Sequence, residues 1–191
     1  CSKLGALYVQ TGKVVPGIEL LERGLKSAAN NEEILYELHY HLGLAYSYER
    51  QISLAIASYQ TAAQLNVCSF LKIGAYNNLG NLWQKIGNLP QAKSNYLKVL
   101  QIDPNFALGY YNLGITLKAM GQFVEAIAAY ERAIQLNPEY AQAYQNLGVA
   151  LLKLGQVRES LAAFQQAIAL YESSNPAVAR QLSQKLQEMG F

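Results

Sequence analysis

Two stretches of the sequence repeat each other and decide the fold. Residues 110–138 read YYNLGITLKAMGQFVEAIAAYERAIQLNP, and residues 144–172 read YQNLGVALLKLGQVRESLAAFQQAIALYE, which aligns with the first stretch without gaps. The same pattern begins 34 residues earlier with YNNLG at 76–80. Two further Leu-Gly pairs, at 42–43 and 4–5, stand 37 and 38 residues before the next pair. A period of this size is typical of repeat architectures, so we expect five units in tandem.

Each unit has the sequence pattern of a helical hairpin. In the fourth unit, apolar residues recur at helical spacing over 107–120 and again over 123–136. Gly121 permits a turn between the two helices, and Asn137-Pro138 ends the second helix. Inserts lengthen the first two connections, near 28–31 and 67–70. We expect units at about 1–30 (truncated), 31–72, 73–106, 107–140 and 141–174, followed by a C-terminal capping helix at 175–191.

Small residues recur where the two helices of a hairpin must approach each other. Gly114 on the first helix and Ala126 on the second are the examples in the fourth unit, and a larger side chain would force the helices apart. Leu113, Leu117 and Tyr130 fill the remaining seam. One hairpin cannot bury this apolar surface by itself, so the units must stack on one another.

Composition excludes several function classes. The chain is 51% hydrophobic and 15% charged, and its formal net charge of +2 is far below the basic field that nucleic-acid binding requires. Polar residues interrupt every apolar run before it reaches the roughly 18 residues of a membrane helix. We therefore expect no nucleic-acid partner, no membrane insertion and a cytoplasmic location. The chain begins at Cys1 rather than at Met, so we expect it to be a piece of a longer protein.

The repeated residues resemble those of the tetratricopeptide repeat family. An aromatic residue, Leu-Gly, an aromatic residue or Leu, Gly, Ala, an aromatic residue, Ala and Pro follow one another within a 34-residue period, most clearly in units three to five. The resemblance covers nearly the whole chain and implies an all-α fold, a right-handed α-solenoid superhelix of five helical hairpins. Asn175-Pro176 then begins one more helix, which resembles the capping helix of such arrays. The first helix of a divergent sixth unit is the alternative.

The resemblance also implies a groove lined by the first helix of each unit, at positions two, five, six, nine, twelve and thirteen. In units two to five, position one is residue 36, 73, 107 and 141. Position six is Asn78, Asn112 and Asn146 in three successive units. A carboxamide has one acceptor and two donors, so such a ladder could hold both halves of a peptide bond at about every third residue of an extended chain. It is similar to the ladder in the repeats of the O-linked N-acetylglucosamine transferases. The other candidate peptide-binding residues are Asn77, Asn81, Tyr40, His41, Tyr48, Tyr111, Gln145, Lys85, Lys118 and Lys153.

These candidates have a second interpretation. The asparagines are equally interpreted as framework residues that hydrogen-bond within their own repeat. Lys85, Lys118 and Lys153 form either a basic edge for acidic ligands or a set of solvated lysines that suit the helix dipole. The two-carboxylate clamp of some family members is absent, because none of its three cationic positions carries Lys or Arg in this sequence.

The sequence gives no support for catalysis. His39 and His41 are the only histidines, and they lie two apart on a helix, so they face different directions and do not form a metal pair. No phosphate loop or nucleophile elbow is present, and we expect no catalytic residue, no metal and no cofactor. The sequence favours a noncatalytic protein-protein interaction scaffold that holds an extended peptide segment of a partner. The alternatives are a substrate-recruiting arm of a larger glycosyltransferase or methyltransferase, and a module that self-associates through its repeat ends.

Overall fold

The computed structural model describes residues 2–28 and 30–190. Over these residues the chain forms a short 3₁₀ helix at Ser69–Leu71, no β-strand, and eleven α-helices: α1 Ser2–Gln10, α2 Val14–Ser27, α3 Glu32–Tyr48, α4 Ile52–Gln64, α5 Lys72–Lys85, α6 Leu89–Ile102, α7 Ala107–Ala119, α8 Phe123–Leu136, α9 Ala141–Lys153, α10 Val157–Ser174 and α11 Pro176–Glu188. None of these helices is long and apolar enough to span a bilayer. The described residues leave out Cys1, Ala29 and Phe191, which fall in the predicted first unit, first connection and capping helix.

Consecutive helices pair as hairpins. The paired helices are α1 with α2, α3 with α4, α5 with α6, α7 with α8, and α9 with α10. In the fourth hairpin the helices Ala107–Ala119 and Phe123–Leu136 lie within one residue of the ranges that the periodicity predicts. The contacts divide the chain into two compact units, one ending at Asp103 with α1–α6 and one beginning at Pro104 with α7–α11. The all-α fold is confirmed, and the arrangement of its hairpins is that of an α-solenoid.

In four of the hairpins an aromatic ring of the second helix lies directly over a glycine of the first. A Cβ atom added to Gly114 would lie 2.6 Å from Cε1 of Tyr130, and one added to Gly80 would lie 2.5 Å from Cε1 of Tyr96. Both rings are fully buried. The ring requires the glycine, since a methyl group at that position would overlap with it. Ala126, which the sequence places opposite the glycine, is also fully buried in this seam.

Within each compact unit the apolar core continues from one hairpin into the next helical element. In the compact unit that ends at Asp103, one cluster joins Tyr36 of α3, Tyr59 of α4 and Leu79 of α5. In the compact unit that begins at Pro104, Tyr171 of α10 packs in a cluster with Leu182 of α11. Below, the first and the second unit are these two compact units. Stacking of successive elements is therefore how these helices bury their apolar faces, and α11 does this for the last hairpin.

The turn inside each hairpin requires a left-handed backbone. In four hairpins a glycine, for example Gly121, takes this conformation with φ between 74° and 82°. The second hairpin instead has Arg50, with a φ of 58°. A side chain in this region costs about 1–2 kcal/mol, because its Cβ approaches the following carbonyl oxygen. The second turn therefore carries backbone strain that the other four avoid.

Candidate functional site

The predicted groove residues lie on the first helices of four hairpins and belong to both compact units. In the first unit, α3 and α5 carry Tyr40, His41, Tyr48, Asn77, Asn78, Asn81 and Lys85. In the second unit, α7 and α9 carry Tyr111, Asn112, Lys118, Gln145, Asn146 and Lys153. Within each unit, we call the surface formed by positions two, five, six, nine, twelve and thirteen of these helices the A-helix face. Each unit therefore carries its own part of the predicted groove.

Asn78 links two hairpins of the first unit. Its Nδ2 donates a hydrogen bond to the Tyr59 hydroxyl at 3.2 Å and lies 3.5 Å from the Tyr40 hydroxyl. Asn78 is on α5, whereas both tyrosines belong to the preceding hairpin. Tyr40 stacks on Tyr36 with ring centroids 5.9 Å apart and meets Tyr59 edge to face. The half-buried carboxamide is therefore oriented by tyrosines of the neighbouring repeat.

Asn146 makes the corresponding link in the second unit. Its Nδ2 donates to the Tyr111 hydroxyl at 3.3 Å and to the Gln142 carbonyl oxygen at 3.0 Å. Its Oδ1 accepts a hydrogen bond from Nζ of Lys118. Tyr111 and Lys118 are both on α7, in the preceding hairpin. Both amide hydrogens of Asn146 are thus engaged inside the protein, while Oδ1 has a second lone pair.

Other amides of the A-helix face also pair with tyrosine hydroxyls. Oδ1 of Asn81 accepts from the Tyr96 hydroxyl at 2.7 Å. Oε1 of Gln145 accepts from the Tyr171 hydroxyl at 3.0 Å. The two remaining asparagines, Asn77 and Asn112, also make interactions within the protein. Tyrosines that the sequence assigns to packing therefore also hold the polar side chains of this face.

His41 occupies position six of the second hairpin, where the later hairpins have asparagine. Its Nδ1 is buried without a hydrogen-bond partner in this structure, and its ring meets Tyr40 edge to face at a centroid distance of 5.5 Å. Burial lowers the pKa of His41 below its usual value, and Glu37 opposes this shift. The neighbouring Tyr48 is 64% exposed. Among the described residues no group of three or more His, Cys, Asp or Glu could hold a metal ion.

The three predicted lysines differ in their surroundings. Lys85 and Lys153 are exposed in the last turns of α5 and α9. Lys118 is half-buried, and burial lowers its pKa below the usual value. The difference comes from position, because Lys118 stands at position twelve and the other two stand at position thirteen. One residue turns a side chain by about 100° around a helix, so the sequence does contain this signal.

Tyr130 is a residue of this site that the sequence analysis did not identify. It is fully buried, as its place in the seam predicts, but its hydroxyl has no hydrogen-bond partner among the described residues. Tyr96, its equivalent in the third hairpin, donates to acceptors at positions nine and twelve. The fourth hairpin has Ile115 and Lys118 there, and neither side chain offers an acceptor. Comparing these positions between repeats would have revealed the mismatch.

A separate depression of the second unit lies outside the A-helix face. It has a volume of about 530 Å³ and lies between α8, α9 and α10, where Ile127, Tyr144, Leu151 and Gln166 are among the lining residues. None of its lining residues belongs to the predicted groove. This depression is therefore a second surface, and its exposed residues can serve as control positions for experiments on the A-helix face.

Comparison with known proteins identifies the repeats and two relatives. Models of the tetratricopeptide repeat match residues 36–66, 73–106, 95–128, 116–155 and 141–174. A TPR repeat-containing protein of Synechococcus elongatus is 40% identical over 89 residues, which make up 47% of this chain and 22% of the relative. The chloroplastic tetratricopeptide repeat domain-containing protein PYG7 of Arabidopsis thaliana is 26% identical over 103 residues, or 54% of this chain and 33% of that protein. The matches therefore span between a fifth and a third of these relatives.

Solved structures of MamA share the fold. One crystal structure matches with a TM-score of 0.78 at 27% identity and covers 89% of this chain and 95% of MamA. A second matches with a TM-score of 0.77 at 26% identity and covers 92% of each chain. MamA from Desulfovibrio magneticus has the same fold at 21% identity, with a TM-score of 0.78. Together with the matched repeat models, these findings show that the chain is built of tetratricopeptide repeats.

Proposed function

We propose that the chain is a noncatalytic protein-interaction scaffold that holds an extended segment of a partner protein against its A-helix face. The observation that carries this proposal is the pair of asparagine links. Asn78 and Asn146 are half-buried carboxamides, each held by a tyrosine hydroxyl of the preceding hairpin. A polar group that is oriented before binding loses little conformational freedom when a partner arrives, which favours affinity.

The internal hydrogen bonds determine which atoms of the ladder would act. Both amide hydrogens of Asn146 are engaged, so we expect its Oδ1 to accept a hydrogen bond from a backbone N–H of the partner. This differs from a carboxamide that satisfies both halves of one peptide bond. Packed helices lie about 8–10 Å apart, so successive position-six residues would meet about every third residue of an extended segment. Tyr48 and Leu108 are 64% and 41% exposed on this face and would contact apolar side chains of the partner.

Site-specific photocrosslinking in the native cell tests this proposal. A photoreactive benzophenone amino acid replaces Tyr48 or Leu108 on the A-helix face, and Gln166 in the separate depression as the control. We expect each of the first two positions to capture proteins, and mass spectrometry to place the crosslinks from each position within one short, contiguous segment of the captured protein. Equal capture from the control position, or crosslinks scattered over a folded partner surface, would contradict the proposal.

The substrate-recruiting arm of a larger enzyme is a more specific version of the same function. It would use the same A-helix face, as the resemblance of position six to the transferase ladder suggests. The same crosslinking experiment distinguishes the two, because an enzyme arm should capture proteins that share a modification on or beside the crosslinked segment. A scaffold has no such requirement.

Self-association through a repeat end is a second candidate, and one observation favours it. Leu4 and Leu7 of α1 are 48% and 52% exposed, whereas Leu42, the equivalent of Leu4 in α3, is 3% exposed. This apolar surface would suit a packed helix, supplied by another molecule or by a longer form of the chain. Sedimentation over a concentration series should then show dimers that the double substitution Leu4→Gln, Leu7→Gln abolishes. A monomer at every concentration would rule this candidate out.

A further inference from the structure

In the second unit, Lys118 is a half-buried cation for which the structure gives no ion pair among the described residues. Lys118 hydrogen-bonds to Asn146, which is neutral. Burial lowers the pKa of Lys118 below its usual value. Withdrawing an ammonium group from water is unfavourable unless an opposite charge comes close to it. A negatively charged ligand beside Lys118 would therefore be stabilising.

Three other hairpins have an aromatic ring over the glycine, and in each of them the residue at position twelve is compatible with the hydrogen-bonding needs of that ring. Gln84 accepts a hydrogen bond from the Tyr96 hydroxyl at 3.1 Å in the third hairpin. In the second hairpin position twelve is Ser47, and the ring hydroxyl, that of Tyr59, accepts a hydrogen bond from Asn78 at 3.2 Å. In the fifth hairpin position twelve is Leu152, and the ring is that of Phe164, which has no hydroxyl. None of these three combinations leaves a buried hydroxyl without a partner.

The fourth hairpin breaks this match. Its ring is that of Tyr130, which is fully buried with an unpaired hydroxyl, and its position twelve is Lys118, which can only donate. The Tyr130 ring lies 6.2 Å from the ring of Tyr111. The Tyr111 hydroxyl oxygen accepts from Asn146, which leaves its proton for another acceptor. The Lys118 ammonium and the Tyr111 hydroxyl beside Asn146, together with the unpaired Tyr130 hydroxyl of the same hairpin, thus have more donor hydrogens than the acceptors that the structure gives them.

We propose that the A-helix face between α7 and α9 is a carboxylate-binding site, at which Lys118 and the hydroxyls of Tyr111 and Tyr130 bind a carboxylate of the partner segment. A carboxylate fits this donor set because it is negatively charged and only accepts hydrogen bonds. The Tyr130 hydroxyl is buried here, so a ligand oxygen reaches it only after a neighbouring side chain moves. The carboxylate is that of a Glu or Asp residue or of the C-terminus of the partner. This inference rests on the proposed function for its partner, and it uses other positions than the two-carboxylate clamp.

Nuclear magnetic resonance titrations of the whole chain test this proposal with defined probes. Sodium acetate, compared with sodium chloride at equal ionic strength, tests the carboxylate alone. Three heptapeptides test the source: one has a central Glu and blocked termini, one has Gln instead, and one has Gln and a free C-terminal carboxylate. The readout is the ring signals of Tyr111 and Tyr130, together with the dissociation constant of each probe.

Two substitutions separate binding from structure. Lys118→Gln places at position twelve the residue of the third hairpin, so it removes the charge and gives the Tyr130 hydroxyl an acceptor. We expect it to weaken acetate binding about tenfold or more while the melting temperature stays the same or rises. Lys185→Gln removes an exposed lysine of α11, outside the A-helix face, and should change binding less than about twofold.

The outcomes distinguish this inference from the proposed function. Acetate shifts of both rings that Lys118→Gln removes and Lys185→Gln keeps would support the site, and the two charged peptides identify the source. Equal binding of the Glu peptide and the blocked Gln peptide on α7 and α9 would overturn the carboxylate site and leave peptide binding intact. Acetate binding without binding of any peptide would keep the site and contradict the extended-segment function. Unchanged ring signals with acetate, or an unchanged dissociation constant in Lys118→Gln, would overturn the carboxylate site.

Discussion

The glycine beneath each aromatic ring offers a quantitative test of the packing argument. In Gly80→Ala the new Cβ would lie 2.5 Å from Cε1 and 2.7 Å from Cζ of Tyr96. Ordinary contact begins at 3.4 Å, so the ring or the helix would have to move by roughly 0.9 Å. Tyr96 is fully buried, and its hydroxyl is held by hydrogen bonds at 2.7 and 3.1 Å. The Tyr96 ring therefore has no free space into which it could move, and it would lose the hydrogen bonds of its hydroxyl if it turned.

These effects can be converted into a free energy of unfolding. Overpacking of a dense core costs about 1–3 kcal/mol, and weakening of the two hydroxyl contacts adds about 1 kcal/mol. The higher helix propensity of Ala returns about 1 kcal/mol. Gly80→Ala should therefore destabilise the protein by about 1–3 kcal/mol. In Gly148→Ala the nearest atoms of Phe164 are 2.9 Å away and the ring has no hydroxyl, so the loss should be below about 1 kcal/mol.

Urea unfolding followed by circular dichroism measures both values. The double variant Gly80→Ala, Tyr96→Leu is the internal control, because removal of the ring removes the overlap. In the Tyr96→Leu background, Gly80→Ala should be neutral or stabilising, which a double-mutant cycle reports as a coupling free energy. If Gly80→Ala is as stable as the unmodified chain, or less destabilising than Gly148→Ala, the ring is not what requires the glycine.

Three further perturbations have defined outcomes. Arg50→Gly should raise the free energy of unfolding by about 1 kcal/mol in urea titrations, because it relieves the left-handed strain at φ 58°; a loss of stability would contradict this. Asn31→Ala should cost about 1 kcal/mol, since it removes the 3.1 Å bond to the first turn of α3, whereas Gln156→Ala, at an N-cap without a side-chain bond, should change stability by less than about 0.5 kcal/mol. Burial raises the pKa of Tyr46 and Tyr140 to about 12, with help from a neighbouring glutamate in the case of Tyr46 and a neighbouring tyrosine in the case of Tyr140. The unfolded chain releases these protons near pH 10, so the urea midpoint should be constant up to about pH 9 and fall between pH 10 and 12; a midpoint unchanged at pH 11.5 would refute these shifts.

The fold could be predicted because its determinants are local and recur. The 34-residue period, the helical spacing of apolar residues and the turn glycines identify the hairpins without knowledge of any distance. The turn at Arg50 escaped this prediction, because its left-handed backbone is imposed by the hairpin rather than favoured by the residue. The sequence also does not show whether Gly114 faces Ala126 or the Tyr130 ring, since both lie on the seam side of α8.

The candidate site was less predictable, because its geometry depends on contacts between neighbouring hairpins. The period places Asn78 and Asn146 at equivalent positions, but it does not reveal that tyrosines of the preceding hairpin engage their amide hydrogens. Lys118 appears in the sequence as one of three lysines near helix ends. Its burial becomes visible only when its position twelve is compared with position thirteen of the other two.

Repeats within one chain act as controls for one another, and this helps to separate structural from functional residues. A contact that recurs in four of the five hairpins, such as an aromatic ring over a glycine, is required by the packing of those hairpins. A residue that leaves a polar group of one hairpin without a hydrogen-bond partner needs another explanation, because the residue at the same position of a neighbouring repeat would supply that partner. The Tyr130 hydroxyl lacks the acceptor that Gln84 gives to Tyr96, and one substitution at Lys118 would supply it. A half-buried ammonium and an unpaired hydroxyl in one hairpin are what we expect where a ligand provides the missing acceptor.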